Sequence, residues 1–259
     1  MLASRLSALW RYRDLLANLV LRDMRIKYKG STLGFAWSLL HPLLMAAVYT
    51  LAFKYIVQMQ VDHFPIFLLT GLLPWIFFAS ALTSATASIA ENGTLVRKVA
   101  FPRAILPLGS VASQFVQFAL MYAVIVPIAL VTIDGASPAV VALVPIVLLQ
   151  LVFTAGLALV LATAHVHFRD TRHLLEVLLQ MWFWVTPIVY PLARVPARFR
   201  GYFAFNPMTW FVQAYQNIVL HQAVPSATAI AVLVAAAGAS ALLGFGVFLR
   251  YERRFAELV

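Results

Sequence analysis

The sequence predicts an all-α, polytopic membrane protein with six transmembrane helices, an amphipathic interface helix before them and a re-entrant segment before the last. Composition is the first reason, since 63% of the 259 residues are hydrophobic and only 11% are charged, against roughly 25% charged in soluble domains. Second, the apolar residues form six long runs, each able to cross a hydrocarbon core of about 30 Å. Third, Lys and Arg are concentrated in alternate connections, which is typical of cytoplasmic loops.

Composition also limits the chemistry and the partners. The net charge is +10, but the cations adjoin apolar runs and form no basic patch on a soluble module. We therefore expect them to set topology and to contact membrane lipids, and we expect no nucleic acid partner. The chain has no cysteine, which excludes disulfides and thiolate zinc sites.

Residues 1–29 are predicted to form the interface helix. They contain seven Lys or Arg, and leucines recur among them at helical spacing: Leu2, Leu6, Leu9, Leu16 and Leu19. A signal peptide is excluded because charged residues interrupt every candidate apolar stretch: Arg5, Arg11, Arg13 and Asp14.

Four cations stand directly before the first apolar run: Arg22, Arg25, Lys27 and Lys29. We expect them to gather the anionic phosphate end of a lipid-borne substrate at the cytoplasmic entrance, since each cation near the surface contributes about 1 kcal/mol. General anchoring to lipid headgroups is the alternative.

The six spans are predicted at 33–57, 66–90, 104–132, 138–164, 174–192 and 226–249. Segments on one side of these spans carry fifteen Lys or Arg, and segments on the other side carry four. This asymmetry predicts that both termini, including the tail 250–259, are cytoplasmic. We treat 1–259 as a single transmembrane domain.

A short polar and basic stretch, ENGTLVRKVAFPRAILP at 91–107, separates the second and third spans. Asn92-Gly93 can end the incoming helix, residues 94–100 suffice for about two helical turns, and Pro102 stops them. The sequence therefore predicts a short cytoplasmic helix between two membrane helices.

The fifth span is predicted to line a route through the membrane. At 100° per residue, five side chains fall within about 40° of one line: Glu176, Gln180, Phe183, Pro187 and Tyr190. An acid near the hydrocarbon needs water or a partner, and Arg172 stands one turn earlier. The alternative is a simple Arg172–Glu176 salt bridge with rings that pack against another helix.

Residues 191–225 are too apolar for an ordinary loop. We predict that they dip into the bilayer, where irregular backbone is tolerated only beside protein or a wet cavity. An interfacial aromatic belt is the alternative, formed by Tyr202, Phe203, Phe205 and Trp210.

Signals for catalysis or for metal binding are weak. The sequence has no G-x-x-x-x-G-K-[ST] motif, and the glycine cluster GSTLG at 30–34 continues with Phe35, so ATP must be bound elsewhere. His165 and His167 point about 200° apart on a helix, which disfavours a shared metal. No acids pair inside a span as in a glycosidase. We expect a protein that is not an enzyme and binds no metal, with a membrane glycosyltransferase as the weak alternative.

Several motifs occur together along nearly the whole chain: RDMRIKYKGSTLGFAWSLLHP (22–42), GLLPWIFF (71–78), NGTLVRKVAFPRAILPL (92–108), FRD (168–170), WVTPIVYP (184–191), NPM (206–208) and the tail YERRFAEL. In this order they resemble the ABC-2 type permeases, specifically the branch that exports O-antigen, capsule or teichoic-acid chains.

The resemblance implies a homodimer in the bacterial inner membrane that exports lipid-linked polysaccharide, with two copies of a separate ATPase that bind ATP and Mg²⁺. It implies that 92–103 is the coupling helix, that the N-terminal helix lies at the interface, and that 191–222 forms a re-entrant pair near the exit. The expected ATPase contacts are Leu95, Val96, Arg97, Lys98, Val99, Phe101 and Arg103. An ABC-2 exporter of a small drug or antibiotic is the alternative.

Overall fold

The computed structural model describes residues 11–32, 34, 36–99, 101–133 and 137–258, which contain helices and no strand. Eleven α-helices follow one another in this part of the chain: α1 Arg13–Tyr28, α2 Ala36–Tyr49, α3 Phe64–Glu91, α4 Gly93–Lys98, α5 Ile105–Thr132, α6 Leu143–His167, α7 Thr171–Trp184, α8 Ala197–Ala204, α9 Pro207–Leu220, α10 Ala227–Tyr251 and α11 Phe255–Leu258. The first ten residues of the predicted interface helix lie outside the described residues.

Five helical segments are long and apolar enough to cross a membrane: Ala36–Ile56, Phe64–Glu91, Ile105–Thr132, Pro138–His167 and Ala227–Arg254. They correspond to the predicted spans one, two, three, four and six. The first includes a π-helical stretch, Thr50–Ile56, and the fourth begins with a 3₁₀ turn, Pro138–Ala142. The fourth and sixth of these segments begin with a side-chain N-cap. Ser137 accepts from the Ala139 amide and Ser226 accepts from the Ala229 amide, both at 3.2 Å.

The fifth predicted span, 174–192, is wrong in its length. α7 ends at Trp184 after 14 residues, which is about 21 Å of helix and short of a hydrocarbon core of about 30 Å. Pro187, three residues beyond Trp184, opposes a longer helix, although α2, α3 and α5 continue through Pro42, Pro74 and Pro127. A proline there would clash with the carbonyl of Phe183 in a continuous helix, and it also disfavours helical backbone at Thr186.

α3 is the central helix of the bundle. In its most apolar window 72% of residues are buried, against 33% or less in the other four long helices. Its rings stack on both sides, Phe77 on Phe118 of α5 at 5.3 Å and Phe78 on Phe153 of α6 at 5.7 Å between centroids. A helix that is apolar on all faces belongs in such a position.

α6 and α10 touch backbone to backbone. A Cβ atom added to Gly156 would stand 2.3 Å from the backbone of Ser240, and one added to Gly244 would stand 2.2 Å from the Gly156 carbonyl oxygen. The Ser240 hydroxyl donates to the Phe153 carbonyl at 2.7 Å. Only glycine permits this approach, which is a common way to pack membrane helices.

The segment between α7 and α10 is structured. α8 and α9 lie within it, and α9 buries nine of its residues, among them Phe211, Tyr215 and Ile218. Asn206 begins α9 by accepting from the Met208 amide at 3.0 Å. α9 is therefore a packed part of the bundle and not a surface loop, whereas α8 has no buried residue.

Candidate functional site

Three charged residues join the end of α3 to the start of α7. Arg172 contacts Glu176 at 3.4 Å, which confirms the ion pair expected from the sequence, and it also contacts Glu91 at 3.4 Å. All three side chains are partly exposed, so each pair contributes about 0–1 kcal/mol. The part taken by Glu91 could not be predicted from the sequence, because Arg172 lies 81 residues away along the chain.

A cavity of about 420 Å³ lies between α2, α3 and α7, and we call it the α7 cavity. It is lined by three of the five predicted lining residues, Glu176, Gln180 and Phe183, together with His41, Met45, Tyr49, Leu72, Trp75, Ile76, Ala79, Thr83, Leu179 and Trp184. The ring of Phe183 stacks on Tyr49 at 6.0 Å and meets Trp75 at 5.8 Å. Aromatic faces and four polar side chains, those of His41, Thr83, Glu176 and Gln180, thus share one concave wall.

The other two predicted lining residues are not part of that wall. Pro187 is buried and follows the end of α7, and the Tyr190 hydroxyl donates to the Trp184 carbonyl at 2.7 Å. The single helical face proposed from the sequence therefore extends from Glu176 to Phe183 and no further. Whether any of the five residues lines a route remains a prediction.

The short helix expected between spans two and three is confirmed as α4. Val96 is 3% exposed and packs in the chain's own core, so it is unavailable to a partner, contrary to expectation. Arg97, Lys98 and Val99 are exposed, and Leu95 is half-buried.

Phe101 and Arg103 line a groove of about 520 Å³, which we call the tail groove, with Tyr12, Val99, Pro102, Glu252 and Arg253. Arg103 donates to the backbone carbonyl of Glu252. The C-terminal residues therefore form one wall of the surface that was expected to receive a partner. This contact could not be predicted from the sequence, because Arg103 and Glu252 lie 149 residues apart along the chain.

The four cations before the first span do not gather at one place. Arg22, Arg25 and Lys29 line an outer groove of about 710 Å³. Lys27 lines a separate cavity of about 390 Å³ between α1, α2, α3 and α5, which we call the α1 cavity. Arg22 also donates to Asn92 at 3.3 Å, so α1 reaches the turn before α4.

α1 runs beside α5 in matched steps of four residues. Leu19 covers Gly109, whose added Cβ would meet Leu19 at 3.5 Å. Asp23 accepts from Ser113 at 3.2 Å, and Lys27 donates to Gln117. One face of α1 thus follows one face of α5 over at least two turns.

Sequence reasoning missed the polar residues of α5. Gln117 is only 4% exposed, and Gln114 donates to Ser84 of α3 at 3.4 Å. Amides three residues apart within an apolar run were a usable signal, because such groups are costly in a membrane unless they have partners. Within the described residues, no three His, Asp or Glu side chains form a group that could hold a metal ion.

Comparison with known proteins agrees with this architecture. Residues 15–220 match the family model described as ABC-2 type transporter. The O-antigen export system permease protein RfbA of Myxococcus xanthus is 33% identical over 253 residues, 97% of each chain. An RfbA protein of Klebsiella pneumoniae is 30% identical over 95% of each chain. The polysialic acid transport protein KpsM of Escherichia coli is 24% identical over 78% of this chain and 80% of its own.

Proposed function

The chain belongs to the ABC-2 type transporter family, and from that premise we propose that it is the membrane permease subunit of an ABC transporter that exports an O-antigen-like polysaccharide. The observation that carries this function is the 33% identity to an O-antigen export permease over 97% of both chains. The relatives are named as permease and transport proteins, so the chain is a transport subunit and not an enzyme. Its five long apolar helices make it a multi-pass membrane protein.

A sixth crossing is formed by α7 and the non-helical residues after it. α7 supplies about 21 Å, and residues 185–191 can supply the remaining length because an extended chain rises about 3.3 Å per residue. With α8 and α9 as the re-entrant pair, both termini then lie in the cytoplasm, as the distribution of Lys and Arg favours. α1 is the interface element at that side of the inner membrane.

The functional unit is a homodimer with two copies of a separate ATPase, which hold ATP and Mg²⁺; this chain binds no cofactor. Gln180 supports the second copy, because its amide is exposed on a single chain although it lies in a predicted span. A polar group at that depth is costly unless it faces water or protein. Two facing α7 cavities would give that amide an aqueous, aromatic-walled route suited to a glycan.

The exposed residues of α4 and the tail groove are the surface for the ATPase. Arg97 and Lys98 pair with acids on that partner, while Val99 and Phe101 supply apolar contact. In the outer groove of α1, the phosphate end of the lipid-linked polysaccharide is collected by Arg22, Arg25 and Lys29.

The test is to co-express the chain with its ATPase and to reconstitute the purified complex in vesicles. We expect ATP hydrolysis to rise with lipid-linked glycan and the glycan to cross the membrane. The matched variant is Val99→Asp with Phe101→Asp, which should abolish coupling while leaving membrane insertion intact. Stimulation by amphiphilic drugs and not by glycan lipid would instead assign the chain to drug export.

A further inference from the structure

We propose that the α1 cavity is a binding site for a lipid-borne phosphate, with Lys27 as its positive charge and Gln114, Gln117 and Ser80 as hydrogen-bonding partners. The starting observation is the separation of Lys27 from the neighbouring cations. Those cations line the outer groove, whereas Lys27 alone among the four lines this cavity. Its ammonium group contacts the Gln117 side-chain oxygen, a neutral acceptor.

Lys27 has no ion pair among the described residues. The nearest acid on its own helix, Asp23, is occupied by Arg22 at 3.1 Å and by Ser113 at 3.2 Å. Desolvation lowers the pKa of Lys27 below its ordinary value, and an anion beside the ammonium group would raise that pKa again. The cavity therefore has an unpaired cation whose charged form a bound anion would stabilise.

The polar residues of the cavity lie toward the cytoplasmic end of α5. α5 has 28 residues and is about 42 Å long, about 12 Å more than a hydrocarbon core. Gln117 lies twelve residues after Ile105, so it is about 18 Å along that helix. If all the excess length projects from the cytoplasmic side, the Gln117 backbone lies about 6 Å inside the hydrocarbon core, a depth that the long side chains of Gln117 and Lys27 can span toward the headgroups.

The remaining lining suits an amphiphile with a polar head. Trp37 and Met121 supply apolar surface, and His41 and Ser80 supply further polar groups. The two hydrogen bonds of the Gln117 amide nitrogen are long, both 3.4 Å, so its hydrogens remain available to a stronger acceptor. Phosphate oxygens are such acceptors.

The lipid has two possible sources, a resident anionic phospholipid or the lipid end of the exported glycan. His41 and Ile76 line both the α1 cavity and the α7 cavity, so a ligand in the first lies beside the second. The glycan source rests on the proposed function, whereas the phospholipid source is independent of it.

The experiment counts lipids bound to the detergent-purified permease–ATPase complex by native mass spectrometry. The complex is titrated with phosphatidylglycerol, with lipid-linked glycan, and with diacylglycerol as a lipid that lacks phosphate. Wild type should retain a phosphate lipid and not diacylglycerol. Lys27→Gln should weaken retention at least about tenfold, because a charge-assisted hydrogen bond is lost.

Lys54→Gln is the matched control, since it removes the same charge from an exposed side chain that lines neither the α1 cavity nor the outer groove, and it should change retention less than about twofold. Gln114→Leu is a second variant that leaves Lys27 in place and should also weaken retention. Displacement of phosphatidylglycerol by glycan lipid identifies the substrate as the ligand, and retention despite glycan lipid identifies a resident phospholipid.

Equal retention by wild type and Lys27→Gln for both phosphate lipids overturns the proposal. Because the phospholipid measurement needs no transport, a Lys27-dependent result would stand even if glycan export failed. The failure of this site and the failure of the proposed function are therefore separable.

Discussion

Asn206 holds the end of one helix and the start of another with a single side chain. Its oxygen caps α9 and also accepts from the Trp182 indole at 2.8 Å, and its nitrogen donates to the Thr186 hydroxyl at 3.0 Å. An Asn-Pro pair at a helix start can be predicted from the sequence. The contact with Trp182 cannot, because it depends on how residues 185–205 fold back between the end of α7 and the start of α9.

Replacing Asn206 with Ala should loosen this junction. The lost cap costs about 1 kcal/mol and the unpaired indole N–H about 1–3 kcal/mol. Hydrogen exchange should become faster at the amides of 207–210. Asn217→Ala, at an exposed position of the same helix, is the control and should leave those amides unchanged; equal protection in both variants would contradict the assigned role.

Gly156 lies where the backbones of α6 and α10 touch. Gly156→Ala places a Cβ against the Ser240 backbone, so α6 and α10 must separate, at a cost of about 1–3 kcal/mol. The midpoint of thermal unfolding in detergent should fall. Gly238→Ala has open space around its new Cβ and should raise stability by about 0.5–1 kcal/mol. A rise in both variants would show that the helices do not touch here.

At the scale of elements, the C-terminal tail supports α4. Phe255 is fully buried and packs on Phe248 at 5.2 Å and on His167 at 6.4 Å between centroids. It belongs to the same apolar cluster as Val96 of α4 and Leu19 of α1. The two ends of the described chain therefore meet on the element that is proposed to contact the ATPase.

Phe255→Ala should free α4 from this support. Loss of a buried Phe side chain costs about 3–5 kcal/mol locally, so hydrogen exchange at 93–98 should accelerate and ATP hydrolysis should no longer drive glycan export. Phe205→Ala removes the same side chain at an 86% exposed position and serves as the control. Unchanged exchange in α4 would refute the supporting role of the tail.

The structure of α7 predicts a shorter water-accessible face than the sequence does. In this cysteine-free chain, single cysteines at 176, 180 and 183 should react with a water-soluble thiol reagent during turnover. Cysteines at 175 and 187 should be protected, because Leu175 and Pro187 are buried. Labelling at 187 as strong as at 180 would restore the longer helical face.

At the scale of the whole molecule, hydropathy located five of the six predicted spans to within five residues of a long apolar helix, because such helices have few alternatives in a bilayer. Hydropathy overestimated the length of the α7 helix, because the residues on both sides of Pro187 are apolar. It also could not show which helix faces meet. Lys27 and Gln117 are 90 residues apart, and only the packing of α1 along α5 brings them together.

The apolar cluster shared by Leu19, Val96 and Phe255 has a consequence for the order of assembly during synthesis. Ribosomes deliver the chain from its N-terminus at about 5–20 residues per second, so α1 and α4 are made many seconds before Phe255. Until then, that end of the bundle exposes apolar surface that nothing in the nascent chain can cover. Maturation of the proposed ATPase surface therefore waits until Phe255 has been made, and a protein truncated before Phe255 would insert its long helices yet remain open to degradation at this end.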